Sequence, residues 1–201
     1  MELLLASSNP GKLREYRALA RGSSIELELI SNFGELPPFD ECAPTFAENA
    51  AGKAQHYSRF AEGIVLADDS GLVVPALGGA PGVHSARYAG PNATDDDRVQ
   101  KLLREMESKE GEERRARFVC VAAIARRGRV LAVVSDLAEG LILTERRGEH
   151  GFGYDPVFYF EELGRTYAEA SREEKNRFSH RGKAFRKLLA LLNTSDSLTA
   201  T

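Results

Sequence analysis

Two apolar, β-branched runs, Phe118 to Ile124 and Val130 to Val134, flank Arg126-Arg127-Gly128, the pattern of a hairpin of two long strands. A hairpin sets its strands antiparallel, so the sheet that contains it cannot be all-parallel. The rest of the chain alternates strand and helix signals. Leu3-Leu4-Leu5-Ala6 reads as a short buried strand; Ser7-Ser8-Asn9-Pro10-Gly11 stops it, and Leu13, Tyr16, Leu19 and Ala20 then recur at helical spacing. Ile25 to Leu29 alternates with period two, as a half-buried strand does. After a Pro-rich loop, Thr45 and Glu48 have capping-box spacing, and Phe46, Ala50, Ala54, Tyr57 and Ala61 form a stripe that predicts a helix over about 45–61. Ile64 to Ala67 is the next strand and runs into Asp68-Asp69-Ser70-Gly71. The stretch from Pro75 to Gly90 reads as an ordered loop, too irregular for regular structure. Thr94 with Asp95, Asp96 and Asp97 opens an acidic helix start, continued by Val99, Leu102, Leu103 and Met106 and closed by a charged turn near Gly111. Ser171 and Glu174 are a second capping pair, and Ala184, Phe185, Leu188, Leu189 and Leu192 mark a last amphipathic helix. The expected architecture is one α/β domain over residues 1–192 with a mixed sheet and the hairpin at its centre, followed by a disordered polar tail, 193–201.

Composition removes several functional classes. The 201 residues are 42% apolar and 28% charged, which suits a globular domain with a sizeable core. Cys42 and Cys120 are too few and too far apart for a disulfide framework or a cysteine zinc site, so a reducing compartment, the cytoplasm, is expected. Met1 to Ser7 lacks the basic n-region of a signal peptide, and no run approaches the ~18 apolar residues of a membrane span, so no membrane partner is expected. With 27 Lys+Arg against 30 Asp+Glu, the net charge of −3 offers no basic footprint for nucleic acid, although a local cluster of cations still suits a small anion.

The candidate chemistry lies in three places. Ser7, Ser8, Asn9, Pro10, Gly11 and Lys12 sit between a strand end and a helix N-terminus, where backbone N–H groups, the helix dipole and a lysine attract phosphate. The run lacks Walker A spacing, and Gly151-Phe152-Gly153 meets Pro156 where a Rossmann third glycine would fall. At Asp68-Asp69 two carboxylates close an apolar strand; hard Mg²⁺ needs one or two protein carboxylates plus waters and phosphates, so Asp69 with Asp40 or Glu41 would suffice. The competing reading of Asp68-Asp69-Ser70-Gly71 is a polar turn. Asn49 and Lys53 are one helical turn apart and can face one anion, although each alone reads as solvated surface. Third, Phe152 or Tyr154 can stack on a nucleobase while His180 and Arg181 donate to its edge, against the blander reading of a packed loop and a surface helix residue.

Taken in order, Ser7-x-Asn9-x-x-Lys12, Thr45-Phe46-x-Glu48-Asn49-Ala50-x-x-Lys53-Ala54, Asp68-Asp69-Ser70-Gly71-Leu72, Gly79-Ala80-Pro81-Gly82-Val83-x-Ser85-Ala86-Arg87-Tyr88, Gly151-Phe152-Gly153-Tyr154-Asp155-Pro156 and Ser179-His180-Arg181-Gly182-Lys183-Ala184 resemble the Ham1-like inosine triphosphate pyrophosphatase family over nearly the whole chain. The resemblance implies an α/β fold with an elongated mixed sheet flanked by helices, two lobes with an active-site cleft between them, and a Mg²⁺-dependent homodimer. The implied reaction converts deaminated purine nucleotides (ITP, dITP, XTP) to the monophosphate and pyrophosphate. By the same resemblance, Ser7 to Lys12 and Lys53 hold the triphosphate, and Glu41 and Asp69 hold the metal. Asp69 is also the base that activates water; Ser70, Phe152, Gly153, Tyr154, Asp155, Lys175, His180 and Arg181 contact the rest of the nucleotide. Donors at His180 and Arg181 would favour a base with an oxygen at C6 and reject adenine, which carries an amino group there. Ala43 stands where the family's loop commonly has Gly, so Asp40 rivals Glu41 as metal ligand, and Pro44 stiffens that loop. Hydrolysis of modified pyrimidine or methylated nucleotides, a nucleotide sensor without turnover and a single-strand RNA binder are the alternatives. The intact carboxylates speak against the sensor and the net charge against the RNA binder.

Overall fold

The computed structural model describes residues 1–194. Strands β1 (Glu2–Leu5), β2 (Glu26–Leu29), β3 (Ile64–Val73), β4 (Arg115–Arg126), β5 (Arg129–Ile142), β6 (Phe158–Phe160) and β7 (Arg165–Thr166) form a seven-stranded sheet in the order β2-β1-β3-β4-β5-β6-β7. It is mixed: β1 pairs parallel with β2 and β3, and β6 pairs antiparallel with β5 and β7. The β4–β5 hairpin stands at the middle of this order, as expected, and turns at Arg127 and Gly128, both at positive φ, the pairing that a tight two-residue turn demands. Helices α1 (Pro10–Ala20), α2 (Phe46–Tyr57), α3 (Asp95–Glu105), α4 (Arg172–Phe178) and α5 (His180–Thr194) complete the fold.

The chain divides into two compact units. The first holds Met1–Asp69, Cys120–Asp136 and the chain from Arg181 onward; the second holds Ser70–Val119 and Leu137–His180. In the first, Leu3, Leu5, Leu66 and Ile124 from the strands meet Tyr16 of α1 and Phe185 and Leu188 of α5, with Tyr16 and Phe185 packed edge to face at 5.5 Å. In the second, Val99 and Leu102 of α3 and Met106 at its C-terminal end pack with Phe118, Phe158 and Tyr167. Each core draws its apolar stripe from an amphipathic helix laid on a sheet face, the arrangement that removes most apolar area from water.

The capping signals hold. Asn9 caps α1 through its side chain, with Pro10 in the first turn, Thr45 caps α2, and both Thr94 with Asp97 and Ser171 with Glu174 close complete capping boxes. Four expectations need correction. Helix α2 stops at Tyr57 rather than near 61, because the Ser58 hydroxyl donates to the Gln55 carbonyl and accepts from Gly128 N–H, drawing the chain to the hairpin turn. Strand β3 does not end at Ala67; it continues through Asp68-Asp69-Ser70-Gly71 to Val73, so the tetrapeptide is strand and not turn. The 75–90 loop contains two 3₁₀ turns, Pro75–Leu77 and Gly82–Arg87. Helix α5 also carries Asn193 and Thr194, the first two residues of the expected tail, and the remainder of that tail, 195–201, lies outside the described residues.

Candidate active site

In the first unit the site is built on β3. Neighbouring strand residues point to opposite faces, and the partners of Asp68 and Asp69 follow that rule. Asp68 is fully buried and paired with Lys12 of α1, Nζ to Oδ1 at 3.0 Å, and with Arg181 of α5, Nη2 to Oδ2 at 3.1 Å. Arg181, itself 2% exposed, also pairs with Glu15. Burial alone would raise the Asp68 carboxyl, but the charges of Lys12, Arg181 and Lys53 outweigh it and hold Asp68 well below the usual carboxylate range. Asp69, 6% exposed, receives a hydrogen bond from Asn49 Nδ2 of α2 at 2.9 Å. Its carboxyl is pushed up to about 6: burial raises it most, the Asn49 hydrogen bond and Lys12 oppose, and the Glu41 and Asp68 charges add to the rise. Lys53 pairs with Glu41 at 2.5 Å, and although burial works to lower the ammonium's pKa, Glu41 and the two aspartates raise it, so the cation is secured.

The phosphate cradle differs from expectation in its donors. Asn9 Oδ1 accepts from the N–H groups of Gly11 at 2.8 Å and Lys12 at 3.1 Å, Pro10 has no N–H, and Ser7 Oγ accepts from Asn9 N–H. Two of the amides that would face a phosphate are thus engaged by the cap. What the segment offers an anion is chiefly the Lys12 ammonium and the hydroxyls of buried Ser7 and exposed Ser8.

The second unit gathers the aromatic group. Asp155 Oδ2 accepts from Phe152 N–H at 2.9 Å and pairs with Lys175, whose Nζ lies 4.8 Å over the Phe152 ring. Gly153 N–H donates to Asp95 at 2.7 Å, so two carboxylates tether this loop. The His180 ring stacks on Phe118, 4.7 Å apart and 8° from parallel. Tyr154 is not available for stacking on a base: 3% exposed, it belongs to the core and donates its hydroxyl to the Ser85 carbonyl at 2.9 Å. Arg181, expected at the base, has its guanidinium held by Asp68 and Glu15 in the first unit. Ser70 follows Asp69 on β3 and is partly buried.

Asn49, which read as surface, is 1% exposed and organises the acid. Its i, i+4 relation to Lys53 was a signal that the two share a face, but Asp69 lies twenty residues away and nothing local announces the bond. Glu15 stands 166 residues from Arg181 and carried no signal of that pairing.

An α/β chain with a mixed sheet, whose strand carries two buried carboxylates among lysines and an arginine, is of the class of phosphate-handling α/β enzymes. The model of the Ham1 family matches residues 3–191, and the chain belongs to that family. It is 51% identical over 187 residues to a dITP/XTP pyrophosphatase of Geobacillus kaustophilus, covering 93% of this chain and 92% of that one. It is 40% identical over 191 residues to a dITP/XTP pyrophosphatase of Bacillus subtilis strain 168, covering 95% and 96%. Among solved structures, the Ham1 protein of Coxiella burnetii superposes with a TM-score of 0.86 at 42% identity, over 97% of this chain and 100% of that one. No helix of the described residues is long and apolar enough to cross a membrane.

Proposed function

We propose that this chain is a hydrolase that converts deaminated purine nucleoside triphosphates, dITP, ITP and XTP, to the monophosphate and pyrophosphate, clearing them from the nucleotide pool. The reading is carried by the Asp69 carboxylate, buried and braced by Asn49 among charged partners, in a chain of the Ham1 family. Lys12 and Lys53 take the charge of the triphosphate, with Ser7 and Ser8 as hydroxyl donors. Burial lifts the Asp69 carboxyl above the ordinary carboxylate value, which makes its carboxylate a better base than an exposed one and suits it to take a proton from water as the new bond forms. The water oxygen attacks the α-phosphorus, its proton passes to the Asp69 carboxylate, and the α–β bridging bond breaks with its electron pair leaving on pyrophosphate. The proton then passes to solvent.

The residues fit a divalent cation. Glu41 and Asp68 each push the Asp69 carboxyl upward, a crowding of hard oxygen donors that such a cation relieves. Glu41 and Asp69 would hold Mg²⁺, with waters and the triphosphate completing its shell of oxygen ligands. When bound, Mg²⁺ supplies positive charge against the triphosphate oxygens.

Phe152 is assigned to stack on the base, with Lys175 held by Asp155 beside it. With Arg181 engaged by Asp68 and Glu15, we assign the preference for a C6 oxygen to His180. Cys42 and Cys120, too few and too far apart for a disulfide framework, favour a cytoplasmic location, and the family resemblance favours a homodimer. Comparison of kcat/KM for XTP, dITP, GTP, ATP and dTTP tests the substrate class. The account expects XTP and dITP to exceed ATP by at least a hundredfold, and equal turnover of ATP would refute it.

A further inference from the structure

Helix α2 grips the irregular loop before it along one face. Tyr57 Oη accepts from Phe39 N–H at 3.2 Å, the His56 ring bonds the Pro37 carbonyl at 2.8 Å, and Lys53 pairs with Glu41. Gly52 faces Phe39 so closely that a Cβ there would stand 2.7 Å from the ring. Asn49 continues the same face by one turn and does two things at once. Its Oδ1 accepts from Ala43 N–H at 3.0 Å, and its Nδ2 donates to the Ala43 carbonyl at 3.3 Å and to Asp69 Oδ2 at 2.9 Å. The amide orientation is dictated by these partners, since the flipped carboxamide would set its oxygen against the Asp69 carboxylate.

We propose that Asn49 is a positioning residue that fixes Asp69 against the loop bearing Glu41, and so sets the spacing of the two carboxylates assigned to the divalent cation. The inference rests on the function proposed above for its reaction, but not for its metal readout. Ala43 is two residues from Glu41, and the segment between Leu36 and Thr45 has no helix or strand of its own, so its place relative to β3 depends on side-chain tethers. Asn49 hydrogen-bonds both the loop and Asp69. A group that orients a metal ligand typically changes affinity or rate by roughly 10–100-fold when removed.

The test measures Mn²⁺ binding by electron paramagnetic resonance without nucleotide, and kcat and KM for XTP at saturating Mg²⁺, for wild type, Asn49→Ala and Asn49→Asp. Circular dichroism fixes a temperature at which each is folded. Asn49→Ala is expected to weaken Mn²⁺ binding by about tenfold or more and to lower kcat by about 10–100-fold, with KM changed by less than about threefold. Asn49→Asp keeps the size and the acceptor for Ala43 N–H but loses the donor to Asp69, and is expected to lose kcat by at least about tenfold. It also serves should the alanine variant not fold. Unchanged Mn²⁺ affinity in folded Asn49→Ala, unchanged kcat in Asn49→Asp, or a wild type that binds no Mn²⁺ would overturn the inference. A wild type that binds Mn²⁺ but hydrolyses no triphosphate would overturn the function alone, and the Mn²⁺ comparison would still decide the role of Asn49.

Discussion

Asp68 lies between Lys12 and Arg181 with no solvent access, and the two cations are balanced only when Glu15, the second partner of Arg181, is counted with Asp68. Asp68→Asn would leave Lys12 without its carboxylate and Arg181 with Glu15 alone in a desolvated site, a loss of about 3–5 kcal/mol, read by urea unfolding at pH 7. The pH dependence has a definite sign. The folded carboxyl titrates below its ordinary value of 3.8, so its contribution is fully present above that value and is lost as pH falls towards the folded pKa. Wild-type stability is expected to fall more steeply than that of Asp68→Asn below about pH 4, and parallel curves would refute the pairing. His180 makes a different prediction. His180→Ala removes the donor assigned to the C6 oxygen, and the XTP-to-ATP ratio of kcat/KM is expected to shrink at least tenfold; an unchanged ratio would move base selection elsewhere. The residue types of this site were legible in the sequence, but their partners were not. A buried ion pair spanning 113 positions leaves no periodicity for a reader of the chain to find.

Strand β3 passes through Gly71 because a side chain does not fit there. A Cβ would stand 2.3 Å from Ser85 Oγ and 2.5 Å from the Gly82 carbonyl, and Ser85 Oγ itself accepts from Leu72 N–H at 2.9 Å and donates to that carbonyl. Gly71→Ala is expected to cost about 1–3 kcal/mol by overpacking, whereas Gly34→Ala, which meets open space, should stay within about 0.5 kcal/mol. Thermal unfolding of both variants checks the contrast, and equal shifts would contradict it. Helices were legible because caps and stripes are local. The extension of β3 was not, since Asp68 and Asp69 break its apolar run and only distant partners make their burial tolerable. Strands β6 and β7 escaped for a plainer reason: they are three and two residues long, and Gly164 at φ 62 between them was the one turn signal.

At the scale of the molecule, the sequence motifs distribute over two units. The first carries the Asp68, Asp69, Lys12 and Lys53 cluster, and the second carries the group of Phe152, Lys175 and His180. Motif order along the chain was enough to imply the family and the reaction. Which residues act directly and which brace others needed the fold, as with Asn49 at Asp69 and Asp155 at Lys175 and Phe152. The most direct test of the account is product identification from XTP with Mg²⁺ by wild type and Asp69→Asn, assaying phosphate before and after added inorganic pyrophosphatase. The account predicts monophosphate and pyrophosphate from wild type, phosphate only after pyrophosphatase, and turnover lowered by about 10²–10⁴-fold in Asp69→Asn. Free phosphate without pyrophosphatase, or undiminished turnover in Asp69→Asn, would contradict it.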